Sequence, residues 1–244
     1  MAEIVFWSVL VVHVAYSLAV NRWDHGDNPK SKTRLIHVTL QGPLLWSAAF
    51  IGWDMGVFSR DLVSPVYIGL GLAAGHLVFG LSILATHLSW RDAWAHFFDF
   101  GPIWNFSMDS PSVLTRFIGV AFAEELIWRV VAQTFAIDML ARVLPQPQAV
   151  AIGIAVVALA FVVIHKHFFE NTWYVSLEFV AFSVVIGAIY FWTQSFITVI
   201  VIHALRDIEI AYLEYLEKVD ELGDEAQAAQ AIDQAYRAQR LEKT

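Results

Sequence analysis

Long apolar runs, at about 4–20, 36–57, 65–88, 112–143, 148–165, 173–193 and 195–216, occupy most of the chain and are separated by short polar stretches. A bilayer core about 30 Å thick takes roughly 20 apolar residues per helical crossing. In hydrocarbon, a spanning segment must satisfy its backbone polar groups within a helix or a closed barrel. The lengths of these runs fit helices. With 58% hydrophobic and 16% charged residues among 244, and a mean hydropathy of +0.57, the chain carries more apolar surface than a soluble domain of this size hides. The expected fold class is therefore all-α. A polytopic transmembrane helical bundle of about seven membrane helices should occupy residues 1–216, followed by a solvent-exposed helical tail at 217–244.

The first run could be mistaken for a secretory signal. Its n-region has no Lys or Arg and carries Glu3, whereas Arg22, Lys30, Lys32 and Arg34 follow the apolar stretch. That order suits a retained helix whose C-terminal end faces the cytoplasm. Alternation then places Arg91, Lys166 and the C-terminus on the same side, as expected of a multi-pass protein of the cell membrane. The net charge of -8 lies mostly outside the apolar runs, much of it in the tail, and argues against nucleic acid as a partner. The absence of cysteine excludes disulfides, thiolate catalysis and Cys-ligated metal, leaving histidine and carboxylate chemistry.

Residues 91–110 mix charges with Trp94, Phe97, Phe98, Phe100 and Trp104 and contain Gly101-Pro102. They read as an interfacial aromatic segment broken by a turn. From Glu209 onward the sequence is rich in Ala, Glu and Gln, which favours a solvent-exposed helix continuing from the last crossing, with a break near Gly223. A partner-binding helix is the alternative there.

The centre of the fourth run holds Glu124, Glu125 and Arg129. On insertion scales each central charge costs about 3 kcal/mol unless it pairs, protonates or faces water. Glu125 and Arg129, four residues apart, share a helix face and can pair, which turns Glu124 about 100 degrees away. The fifth run ends with Phe161 and His165 on one face, and the last run places His203 and Asp207 four apart, with Arg206 alongside. An acid-acid-xxx-base pattern arises by chance on the order of once in ten chains of this composition, so the pattern alone is weak. Its position inside a membrane run, with histidines in two later runs, gives it weight. Bundle-core sites are assembled from facing helices in this manner.

These three elements resemble the motifs of the CAAX protease and bacteriocin-processing family, also called the Abi family, whose prototype is the Ras-converting CAAX endopeptidase. Glu124-Glu125-Leu-Ile-Trp-Arg129 is similar to EExxxR, Phe161-Val-Val-Ile-His165 to FxxxH, and His203-Ala-Leu-Arg-Asp207 to HxxxN/D, all within residues 112–210. The resemblance implies a glutamate-dependent intramembrane endopeptidase acting on a membrane-associated peptide or protein. It implies that Glu124 and His165 activate water, that His203 and Asp207 stand on the oxyanion side, and that Glu125 and Arg129 support them. Asp207 departs from the Asn variant of the motif, since an ionised carboxylate accepts rather than donates.

Other readings remain open from sequence. The same residues could form buried pairs in a non-proteolytic scaffold or immunity-type binding protein. Glu124, His165 and His203 offer zinc-type ligands. Neither HExxH nor another compact zinc motif is present, so no cofactor is expected. A carrier would call for paired halves with broken helices, which the chain lacks. His13, His37, His76 and His87 read as core or interfacial histidines, and Glu178 as a carboxylate facing the bundle interior.

Overall fold

The computed structural model describes residues 1–23, 30–87, 90–98, 100–165 and 167–241, and the regular elements among them are helical. They are α1 (Ala2–Trp23), α2 (Lys30–Asp54), α3 (Pro65–His87), α4 (Trp90–His96), α5 (Phe100–Asp109), α6 (Pro111–Glu125), α7 (Thr134–Ala141), α8 (Gln146–Val163), α9 (His167–Glu170), α10 (Trp173–Thr193), α11 (Phe196–Leu222) and α12 (Glu225–Leu241). A π-helical stretch, Leu126–Gln133, joins α6 to α7. Lys166 and the side chains of Arg22, Lys30, Lys32 and Arg34, on which the orientation rests, lie outside the described residues, as do those of His37 and His87.

Segments of α1, α3, α8 and α10 (Ala2–Ala19, Pro65–Leu84, Gln146–Val163 and Trp173–Thr193) are long and apolar enough to cross a membrane. The other three runs are helical too. Polar residues interrupt two of them: Glu124, Glu125 and Arg129 in the fourth run, and Arg206, Asp207, Glu209 and Glu214 in the last. Length and composition thus support four of the seven expected crossings. The outward faces are apolar, with Ile4, Val11, Trp46, Phe50 and Leu159 all at least half exposed, a surface suited to lipid.

The described residues group into two compact units. The first comprises Met1–Val63 and Ala123–Phe196. Spacings of three and four produce its buried faces: Phe6, Leu10, His13 and Ser17 on α1, and Leu44, Ser47, Ala48 and Ile51 on α2. α1 packs on α2, and α2 reaches the π stretch, where a Cβ on Gly52 would come within 2.9 Å of Leu126 Cδ1. Gly153 of α8 likewise admits Ile137 of α7. α10 ends at Gln194, whose φ of 51° is left-handed. Its amide donates to the Phe191 carbonyl at 2.8 Å, satisfying one of the last acceptors of the helix.

The second unit comprises Ser64–Phe122 and Ile197–Thr244. Here α3 meets α11 through Gly71 and Gly75, a small-xxx-small pair. A Cβ on Gly71 would fall 2.7 Å from Val201 Cβ and 2.9 Å from the Thr198 carbonyl oxygen. A turn at Phe97–Phe98 breaks the aromatic segment between α4 and α5, and Gly101-Pro102 follows it. This dipeptide lies in the first turn of α5, where proline's missing N–H costs no helical bond. Trp94, Phe98 and Trp104 are exposed as an interfacial belt requires, while Phe97 packs against His76 and Gly80.

The C-terminal region differs from a freely solvated extension. Glu209 is fully buried, and His76 Nδ1 meets its Oε1 at 2.6 Å. Much of α12 is exposed, but Ala228, Ala229 and Ile232 are buried, and Ile232 joins a core with Ile103, Phe106, Val113, Ile208 and Tyr212. Asp233 accepts hydrogen bonds from Ser112 N (2.7 Å) and Ser112 Oγ (3.2 Å), capping the start of α6. Tyr236 donates to Glu214 Oε2 at 3.1 Å. Burial, with Glu214 beside it, holds this phenol well above its ordinary pKa, so it stays a donor.

The close approach at Gly71 predicts that Gly71→Leu destabilises the second unit by about 1–3 kcal/mol through overpacking, whereas Gly69→Leu, where a Cβ meets nothing within 4 Å, has little effect. Thermal unfolding of the two variants in lipid or detergent checks the contrast. Equal midpoints would remove the glycine contact from the account.

Candidate functional site

Where α6 gives way to the π stretch, the winding changes from i,i+4 to i,i+5 backbone bonding. All eight residues of the stretch are buried. Glu125 and Arg129 are both fully buried, and Arg129 Nε stands 3.3 Å from Glu125 Oε2, the pairing expected from their spacing. The guanidinium also donates from Nη2 to Ser183 Oγ of α10 at 3.0 Å, and its Cζ lies 5.0 Å from the centroid of the Phe161 ring. The ion is thus met by a carboxylate, a hydroxyl and an aromatic face. Each partner offsets part of the cost of removing the charge from water.

Phe161 therefore has a packing role within its motif. It touches Trp128 and Phe179 as well as Arg129, and it lies 4.6 Å, centroid to centroid, from the His165 ring. The Phe161 carbonyl oxygen accepts from His165 Nδ1 at 2.7 Å. That bond requires the proton on Nδ1 and leaves Nε2 as the second functional atom of the ring. Nε2 faces Glu124 Oε1 at 3.7 Å. His165 and Glu124 retain 21% and 26% of their side-chain exposure, so they are open to solvent or ligand in a way that Glu125 and Arg129 are not. At 3.7 Å the contact is longer than a direct hydrogen bond and suits an ion pair or two groups acting on one small molecule.

His167, one residue beyond Lys166, lies 5.3 Å from His165 and 4.8 Å from Phe179 between ring centroids. Among the described residues of this unit, no three of His, Asp and Glu come together as a metal-holding group.

The third motif lies on α11, in the second unit. His203 Nε2 is 3.7 Å from Asp207 Oδ2, and Arg206 Nη1 is 3.9 Å from Asp207 Oδ1. His203 is buried, while Arg206 and Asp207 are partly exposed. Asp207 thus serves as partner to both a histidine and an arginine. Glu178, the lone carboxylate of α10, is partly buried.

Sequence reasoning missed Ser183, Gln133 and Glu209. Serines and glutamines are ordinary in membrane helices, and nothing in their spacing marks Ser183 as the partner of Arg129 or Gln133 as the donor to the Gly187 carbonyl at 2.8 Å. A fully buried arginine with a single helical neighbour could have signalled that another helix supplies an acceptor.

These features define an all-helical integral membrane protein with a buried ion pair beside an accessible carboxylate and imidazole. Residues 106–208 match the family model described as type II CAAX prenyl endopeptidase Rce1-like. The match bears out the resemblance read from the motifs, all three of which fall inside it. No curated protein and no solved structure matches the chain significantly.

The buried pair generates a prediction. Arg129→Met leaves Glu125 without its cation and should cost about 3–5 kcal/mol, while Glu125→Leu combined with Arg129→Met should recover most of that loss. Unfolding measurements on the single and double variants check this. A double variant as unstable as the single would show that the charge pair is not what Arg129 contributes.

Proposed function

We propose that this chain is an intramembrane endopeptidase of the CAAX-prenyl type, hydrolysing a peptide bond in a membrane-associated peptide with a water activated by Glu124 and His165. The observation that supports this reading most is the meeting of Glu124 Oε1 and His165 Nε2 at 3.7 Å from motifs forty-one residues apart, with part of each side chain accessible. His165 Nδ1–H is engaged by the Phe161 carbonyl, so Nε2 and the carboxylate can both draw on one water.

In the proposed step the water oxygen adds to the scissile carbonyl carbon and a water proton passes to Glu124. Cleavage of the C–N bond then returns a proton to the leaving amine. Glu125 and Arg129 hold the helix that carries Glu124. By the family resemblance His203 and Asp207 take the oxyanion side, with Asp207, 3.7 Å from His203 Nε2, orienting the ring. Asp207, close to Arg206 as well, acts as an acceptor in this scheme. No cofactor is needed. The protein would act in the cell membrane, with its C-terminus in the cytoplasm.

With protein reconstituted in liposomes and a fluorogenic farnesylated peptide ending in a CAAX tetrapeptide as probe, Glu124→Gln and His165→Ala should each lower kcat by about a hundredfold or more. Both variants should still insert and fold. Turnover at the parental rate in either variant would eliminate this pairing as the water-activating one, and no cleavage by the parent chain would favour a scaffold of the same fold.

A further inference from the structure

We propose that Ser183 is a positioning residue for hydrolysis at Glu124 and His165, an inference that rests on the reading above. Ser183 sits on α10 and is fully buried. Its hydroxyl accepts from Arg129 Nη2 at 3.0 Å and donates to the Ala158 carbonyl of α8 at 3.4 Å. One side chain thus ties two other helical segments. The π stretch, through Arg129 and Glu125, continues the helix on which Glu124 stands, and α8 leads from Ala158 through Phe161 to His165.

The separation of Glu124 from His165 is the separation of the ends of those two segments. A shift of about 1 Å between reacting groups can cost on the order of a hundredfold in rate, so a tie between their supports acts directly on kcat. Arg129 cannot replace this acceptor with bulk water, because it is fully buried.

A second contact shows why Ser183 can be altered without loss of the fold. One turn along, Gln133 Nε2 donates to the Gly187 carbonyl at 2.8 Å, and a Cβ on Gly187 would come within 2.6 Å of Gln133 Oε1. α10 and the π stretch stay fastened there when the Ser183 hydroxyl is removed. The Gln133 bond secures packing, while the Ser183 bonds extend to both partners of the reacting pair.

The test uses the full chain in liposomes with the farnesylated CAAX peptide as probe. Ser183→Ala should lower kcat by about 10- to 100-fold and leave KM within about twofold. Ser183→Thr, which keeps a hydroxyl, should return kcat to within about threefold of the parent. Thr198→Val removes a different, partly buried bond, from Thr198 Oγ1 to the Tyr67 carbonyl at 3.1 Å, and should lower the unfolding midpoint with kcat unchanged.

Parental kcat in Ser183→Ala overturns the proposal. So does a Ser183→Thr enzyme as slow as Ser183→Ala, or a Thr198→Val enzyme slowed to the same degree. Glu124→Gln is measured alongside. Parental turnover in that variant sinks the glutamate mechanism itself, whereas an inactive Glu124→Gln with a fast Ser183→Ala sinks only the positioning role.

Discussion

The interior of the first unit is organised around one fully buried guanidinium. Arg129 cannot be solvated where it lies, so the surrounding helices supply what water would have given: a carboxylate from its own helix, a hydroxyl from α10 and the face of Phe161 from α8. Each requirement fixes a neighbour. The carboxylate sets the face of the motif helix, and the hydroxyl fixes the register of α10 against it. The aromatic ring holds the end of α8 within reach. The accessible pair of Glu124 and His165 is the outer margin of that arrangement, which explains why two polar side chains meet there at a defined spacing.

Glycine has the complementary role. In lipid, apolar side chains gain little by leaving one hydrocarbon environment for another, and helices associate where small residues let backbones approach. Gly71 and Gly75 do this between α3 and α11, Gly153 between α8 and α7, and Gly187 between α10 and the π stretch. In the last case the close approach also allows a side-chain amide to reach a backbone carbonyl, so steric and polar contacts occur at one point.

Apolar run lengths indicated an all-helical membrane fold, and the spacing within the fourth run predicted that Glu125 would pair with Arg129. Both follow from local periodicity. Ser183 was not legible because a hydroxyl carries no spacing signature, and its partner lies fifty-four positions away in the chain. Glu209 was misread for a related reason. Its neighbours are acidic and helix-favouring, and only the fold brings His76 against it. The winding change at Leu126–Gln133 is equally invisible in composition, since the residues that adopt it are common in ordinary helices. Four of the seven expected spans are countable by hydropathy, and in the fourth and last runs the residues that define the motifs depress the hydropathy by which crossings are recognised.

The hydrogen bonds from Ser112 to Asp233 carry a consequence for synthesis. The helix bearing Glu124 begins at Pro111, yet the carboxylate that satisfies its first turn is encoded more than a hundred residues later. While the chain is being made, that helix has an unfinished amino end. It acquires its cap only after the segment containing Asp233 has left the ribosome and folded back. Completion of this element therefore waits on the synthesis of α12, which acts as a clasp on work begun long before it.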